Sequence, residues 1–401
     1  MAGPVDASIR AQTAGARLFS RSYGLICAAN FSFWAGMYCL FGAFPLYVVR
    51  IGGSPSEAGL VTGAIPLTSF VTQLLMARSI ARWPRVGVLA AAPMVLPLGV
   101  VAAQLAPSSR MLVVASVILG TGYTTFQTAA TTLAADVTPP ARRGEALGVY
   151  GSFTTVSLAV GPTLGIALLQ WAGPVATWVA AAGLGLAASL LALGVRAGDV
   201  PPSVAEPAVG AASRPGLDPI IFFCMFVNAG LTFTHGTLVA FLPLYARSIG
   251  MGNPGLFYTV FAVGAIVVRA VAGRLSDTFG RVQVVVPATI VLTASLWALA
   301  AGPSIPALLA IAVLYAFGYG SLHPTNLAFA VDRAPATARP TALALVNSGF
   351  ALGMGTGALA MGAVLALTSF PVTFALTGLV PLATTGAFVA RYATHRPPRL
   401  S

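Results

Sequence analysis

Residues 282–331 read VQVVVPATIVLTASLWALAAGPSIPALLAIAVLYAFGYGSLHPTNLAFAV, bounded by Arg281 and Asp332, with no fixed charge between them. About 20 apolar residues cross the ~30 Å of a bilayer's hydrocarbon, so this run holds two crossings and must fold back on itself. Its break lies at Ala301-Gly302-Pro303-Ser304, residues that end helices and favour turns. Two further runs have the same design: Glu145 to Arg196, broken at Gly173-Pro174, and Arg339 to Arg391, broken at Thr368-Ser369-Phe370-Pro371. Single crossings fit between Arg21 and Arg50, Arg85 and Arg110, Arg110 and Asp136, and Arg247 and Arg269. With the stretches after Pro55 and after Asp218, the chain predicts 12 spans. They cover 22–48, 58–77, 86–107, 111–134, 146–169, 175–195, 219–244, 254–272, 283–301, 305–328, 342–366 and 370–390.

A chain that is 57% hydrophobic and 7% charged matches an all-α polytopic membrane protein and excludes a soluble domain of this size. The residues before Arg21 are expected to form a short polar tail and not a cleaved signal peptide. Cys27, Cys39 and Cys224 fall within spans, where packing is the expected role and a disulfide framework is not. All 21 cationic side chains are arginine. With both termini cytoplasmic, only Arg50, Arg110 and Arg247 fall outside, so the positive-inside rule favours that orientation. The net charge of +12 is spread over short turns, which suits anionic lipid and excludes nucleic acid as a partner.

The Pro- and Ser-containing segment 196–218 divides the spans six and six and reads as a cytoplasmic linker. The expected bodies are a tail at 1–20, a bundle at 21–195, the linker, a second bundle at 219–391 and a tail at 392–401. Pro45-Leu46-Tyr47 returns as Pro243-Leu244-Tyr245, and Asn30 returns as Asn228 at the same offset. Asp136 and Arg143 return, at a nearly equal offset, as Asp332 and Arg339. Matches at one spacing in corresponding spans indicate an internal duplication. Two pseudo-symmetric six-helix bundles about a central cavity are the architecture of alternating access.

Between the eighth and ninth spans stands Gly273-Arg-Leu-Ser-Asp277-Thr-Phe-Gly280-Arg281. It resembles the loop motif Gly-x-Leu-x-Asp-(Arg)-x-Gly-Arg of the major facilitator superfamily of secondary transporters, and the resemblance extends over essentially the whole chain. It implies a cytoplasmic gate of Gly273, Asp277, Gly280 and Arg281, with Asp332 as the partner of Arg281. Aligning Arg85 with Arg281 places Ala77, Ala81 and Pro84 where the motif has Gly, Asp and Gly, so the first-half turn lacks its carboxylate. Asp136 or Glu145 could supply the missing negative charge.

The fifth span carries Gly151, Gly161-Pro162 and Gly165 in GVYGSFTTVSLAVGPTLG. Small residues let membrane helices approach closely, and proline bends them. The segment is similar to the glycine-proline motif of proton-exchanging exporters in the superfamily, and the drug and sugar (arabinose-type) efflux branch is the expected one. The related run Gly349, Gly353, Gly355 and Gly357 has Ala358 in place of the proline.

Ionisable groups within spans mark function because burying them is costly. His235 in the seventh span and His323 in the tenth are the two cases here, and the repeat places His323 over Gln127. Asn30, Tyr38, Asn228 and Asn347 are the other substrate or proton candidates. An unperturbed imidazole titrates near ~6.5, so histidine can exchange a proton near neutrality. No carboxylate stands in the first span and no arginine in the fourth, the pair many proton-driven exporters of the family share.

A Gly-x-x-x-x-Gly-Lys-Ser/Thr loop is impossible in a chain without lysine, which excludes an ATP-driven pump of that type. No His-Glu-x-x-His, Gly-x-Ser-x-Gly or cysteine cluster points to an enzyme, a metal site or a cofactor. The expected function is proton-coupled efflux of a small organic solute or drug from the bacterial inner membrane, one chain sufficing. The alternatives are a facilitator or uptake transporter for a small polar solute, and a nontransporting membrane receptor.

Overall fold

The computed structural model describes residues 20–76, 83–139, 142–196, 218–335 and 338–394, except for the side chains of 76, 270–275, 277, 340 and 394. Described elements are helical, in the order α1 Arg21–Arg50, α2 Pro55–Met76, α3 Arg85–Gln104, α4 Leu112–Asp136, α5 Arg143–Trp171 and α6 Gly173–Leu193. The second half repeats this as α7 Ile220–Ser248, α8 Gly255–Phe279, α9 Arg281–Ala300, α10 Ile305–Arg333, α11 Arg339–Leu367 and α12 Phe370–Thr394. Eleven are long and apolar enough to cross a membrane. The twelfth, α8, carries an apolar stretch at Gly255–Arg269 among the described residues. Leu74, Leu98, Val101, Leu190, Val267 and Leu379 are large apolar side chains left exposed, as a surface solvated by lipid tails requires.

The spans sit within a few residues of the predicted ranges, with two differences. In α3, the helix is interrupted by a 3-10 turn at Ala92–Met94 containing Pro93, which has no N–H for the ladder. Helix α8 continues to Phe279, and its terminator is Gly280, whose φ of +96° an L side chain rarely adopts.

Within each half, glycine brings paired helices together. On α5, a Cβ at Gly161 would lie 2.6 Å from Tyr38 Cβ, and one at Gly165 would collide with the backbone of Cys39, so α5 rests directly on α1. Gly349, Gly353 and Gly357 set α11 on α7 in the same way, against Met225, Ala229 and Phe233. The three cysteines are buried and free.

One end of the molecule carries Arg21, Arg196, Asp218 and Thr394, and is called proximal below; the other, with Arg50, Ala172 and Ile249, is distal. The halves meet at the distal end along two seams. In the first, α2 crosses α11: Ser56 Oγ donates to Gly362 O at 2.9 Å, Gly59 faces Ala358, and Gly63 faces Gly355. In the second, α5 meets α8: Asn253 Nδ2 donates to Thr163 O at 3.1 Å, Gln170 Nε2 to Gly252 O at 2.9 Å and Thr259 Oγ1 to Ala159 O at 2.5 Å. Among the described residues, the hydrogen bonds joining the halves lie between the distal end and a last contact, Arg269 Nη1 to Thr155 Oγ1 at 3.1 Å. The cleft between the halves is therefore closed distally and opens toward the proximal end.

Candidate functional site

The cleft floor is built from helices that are packed by their small residues and present larger ones to the gap. From the first half, α1 supplies Trp34 and Tyr38, and α4 supplies Tyr123 and Gln127. Trp34 stacks at a tilt on Tyr38, with ring centroids 5.5 Å apart, and meets Tyr123 edge-on at 4.7 Å. Tyr38, Tyr123 and Gln127 are half-buried, whereas Trp34 is 3% exposed and its indole N–H has no partner among the described residues. Gln127 donates from Nε2 to Thr131 at 3.1 Å, leaving Oε1 without a partner. Unsatisfied polar atoms at this depth are what a polar solute can satisfy.

From the second half come Tyr319 and His323 on α10, His235 on α7 and Phe350 on α11. His323 lies parallel to Tyr319 with centroids 6.3 Å apart and meets Phe350 edge-on. Asn228 is fully buried and directs Nδ2 to Val346 O at 2.8 Å, so its Oδ1 is the acceptor facing His323 Nδ1 at 2.8 Å. In the neutral ring the proton therefore sits on Nδ1, and Nε2 keeps the lone pair. His235 is 6% exposed between Phe261 and Tyr319, with Nδ1 unpartnered among the described residues.

Other sequence candidates lie elsewhere. Asn30 is fully buried and turned to α5, with Nδ2 donating to Tyr150 O at 3.2 Å and to Thr154 Oγ1 at 2.8 Å; it ties α1 to α5. Asn347 is exposed, with no hydrogen bond among the described residues. Gly161, Pro162 and Gly165 form the α1–α5 contact, Pro162 lying against Gly42, while Gly151 has open space beside it.

The charged residues of the motif collect at the proximal end. Arg281 Nε donates to Asp332 at 3.1 Å and its Nη1 to Ser276 Oγ at 2.7 Å. Arg85 pairs with Asp136, and Glu145 with Arg142 at 3.0 Å, so Asp136 is the carboxylate that faces Arg85. Each pair lies within one half. Asp277 and Gly273 stand on α8, but the side chain of Asp277 lies outside the described residues, as do 77–82 with Ala81. At the distal end a shallow cavity of about 720 Å³ between the halves is lined by Arg50 and Arg247 together with Leu46, Leu244, Gln170 and Phe370.

Arg269 is the site residue the sequence reading missed. Taken as the cytoplasmic edge of a span, it instead lies fourteen residues into α8, roughly 21 Å from the distal end at 1.5 Å per residue. Its guanidinium is exposed to the cleft, reaches across to Thr155, and is close enough for its charge to act on Tyr38, Tyr319 and His323. The signal was present in Gly280: ending the helix at that glycine, and not near 272, places Arg269 ten residues inside. Tyr38 apart, the aromatic lining was likewise unassigned, because span counting does not tell a lipid-facing ring from a cleft-facing one.

The sequence profile of the Major Facilitator Superfamily matches residues 26–268 and 221–401. The chain is similar to the staphylopine export protein of Staphylococcus aureus (strain Mu50 / ATCC 700699), 22% identical over 88% of this chain and 91% of that one. It is also similar to a chloramphenicol resistance protein of Streptomyces lividans, 28% identical over 84% of this chain and 88% of that one. Among solved structures, an inward-facing, occupied bacterial homolog of the human lysosomal transporter Spinster superposes with a TM-score of 0.71 at 17% identity. That match covers 94% of this chain and 96% of the other.

Proposed function

The chain belongs to the Major Facilitator Superfamily, and from that premise we propose that it exports a small organic solute or drug by alternating access, in exchange for protons, across the bacterial cytoplasmic membrane. The observation that carries this reading is the cleft, sealed distally by two seams and floored at mid-depth by half-buried polar and aromatic side chains from both halves. Two relatives spanning most of the chain, one an export protein and one a drug resistance protein, support the outward direction. The arginine distribution supports cytoplasmic termini, which makes the open end the cytoplasmic one.

In this reading, residues 21–195 and 219–391 are the two rocking bodies, 196–218 the cytoplasmic linker, and 1–20 and 392–401 the tails. A single chain suffices, and no cofactor or enzymatic step is assigned. Tyr38, Gln127, His323 and Asn228 meet the solute or the coupling proton; Asn30 and the Gly161-Pro162-Gly165 run hold α1 on α5. Arg281–Asp332 and Arg85–Asp136 brace the proximal end, and Asp277, Gly273 and Gly280 belong to the same turn. Anionic inner-leaflet lipid is the counter-charge for the proximal arginines.

The test uses everted membrane vesicles, with chloramphenicol as the first probe. Energised vesicles containing the chain should accumulate the transported drug faster than control vesicles, and dissipating the proton gradient should abolish the difference. Equal rates with and without the gradient, for a compound shown to be transported, would replace proton exchange by facilitated diffusion.

A further inference from the structure

Five carboxylates have described side chains, and all lie at helix ends against arginine: Glu57 with Arg110, Asp136 with Arg85, Glu145 with Arg142, Asp218 with Arg333 and Asp332 with Arg281. None stands inside a span. Arg269 does, and among the described residues it forms no ion pair and spends one donor, on Thr155 Oγ1. Thr155 in turn donates to Gly151 O at 3.1 Å, so it meets Arg269 as a neutral acceptor and supplies no charge. A guanidinium has five N–H donors in a planar fork. A cation at this depth, exposed to a cleft and lacking a counter-charge, is costly to keep unless something else neutralises it.

Its surroundings define what would fit. Tyr38 and Tyr319 lie within range of its charge from opposite halves, and Trp34, whose N–H has no partner among the described residues, packs between Tyr38 and Tyr123. We propose that Arg269 docks an anionic group, a carboxylate or phosphate, of the transported solute, whose apolar or aromatic body lies against the half-buried rings of Tyr38 and Tyr123. This assignment rests on the transporter reading and names the substrate class of the same cleft. Charge and fork geometry supply the recognition, because a carboxylate or phosphate can accept two parallel N–H bonds from arginine.

The test compares three probes with one ring system, 1-naphthoate, 1-naphthyl phosphate and neutral 1-naphthamide, by calorimetry on the full chain in phosphatidylcholine nanodiscs. At least one anion should bind about tenfold or more tightly than the amide, the range of a charge-assisted hydrogen bond. Arg269→Gln should erase that preference while leaving amide binding in place, and Arg269→Lys should keep part of it. Absence of the preference in the native chain, or its survival in Arg269→Gln, overturns the proposal. Should Arg269→Gln not fold, the native preference and Thr155→Val decide: Thr155→Val keeps the charge and must keep the preference. Loss of the preference in nanodiscs containing phosphatidylglycerol would show a lipid headgroup in the site and overturn the solute assignment. Counterflow of the same probes in proteoliposomes separates the two readings. Equal movement of amide and anion keeps the transporter and removes the anion site, whereas Arg269-dependent binding without counterflow keeps the site and removes the transporter.

Discussion

The α2–α11 seam should respond to a single methyl group. At Gly59 an added Cβ would stand 2.5 Å from Ala358 O and 3.0 Å from Phe241 Cζ, so Gly59→Ala falls about 0.9 Å short of the 3.4 Å at which ordinary contact begins. Backbone cannot swing aside like a flexible side chain, and overpacking of this kind costs ~1–3 kcal/mol. Gly362→Ala on the facing helix is the matched control, because its Cβ would meet Gly59 Cα, Phe241 Cζ and Ser56 Cα no closer than 3.4 Å. Both changes add the same helix propensity in every conformational state, so that term does not bias the equilibrium. The clash in Gly59→Ala exists only while the distal seam is shut, and its cost therefore favours the distally open state by ~5- to 150-fold. Spin labels at the exposed Trp171 and Leu256, on opposite halves, report the change as a longer component in the distance distribution. Identical distributions in Gly59→Ala and Gly362→Ala would refute the assignment of this seam as the distal gate.

At the proximal end, Asp332→Asn and Asp136→Asn should each weaken a charge-assisted contact worth ~1–3 kcal/mol and alter accessibility of the proximal cleft to thiol reagents, with Arg281→Asp/Asp332→Arg restoring the native pattern. Asp277→Ala should shift the balance away from the proximally closed state; unchanged accessibility from both sides, with normal transport, would count against it. His323→Gln preserves a neutral hydrogen-bonding group toward Asn228 but cannot take up a proton, so it should remove the pH dependence of initial transport rate if His323 carries the coupling proton. An unaltered rate, affinity and pH profile would leave the ring as packing and move the test to His235. Gly165→Leu should drive α5 off α1 and lower thermal stability by several degrees, while Gly151→Ala, where nothing lies within 4 Å, should not lower it.

The spans were legible because lipid forbids stray charge: fifty residues between Arg281 and Asp332 admit few readings other than two crossings. The duplication was legible in Asn30 and Asn228, whose Nδ2 groups donate to equivalent carbonyls, Tyr150 O on α5 and Val346 O on α11; what differs is the second contact, Thr154 for Asn30 and His323 for Asn228. Which face of a helix turns to the cleft depends on how the halves meet, and a repeat offset carries no information about that. The interruption at Pro93 was hidden for another reason: several other helices absorb a proline without breaking, including Pro45 in α1 and Pro324 in α10. Arg269 was missed through a boundary set about seven residues short of Phe279, which turned an interior charge into an edge charge.

Arg269, which forms no ion pair among the described residues, also gives the protein an electrical character. Water in an open cleft holds its floor at the potential of the side it faces, so switching the empty protein carries one positive charge through the membrane field, at up to ~2.3 kcal/mol per 100 mV. With the interior negative, that work holds the empty protein, in the proposed orientation, open to the cytoplasm and ready to load. A monoanion docked on Arg269 cancels the charge, and the loaded protein then switches without opposition from the field. Pre-steady-state currents on supported membranes should accordingly show a voltage-dependent displacement in the empty protein that shrinks with 1-naphthoate and is absent from Arg269→Gln. A displacement of equal size in that variant would assign the moving charge to another group.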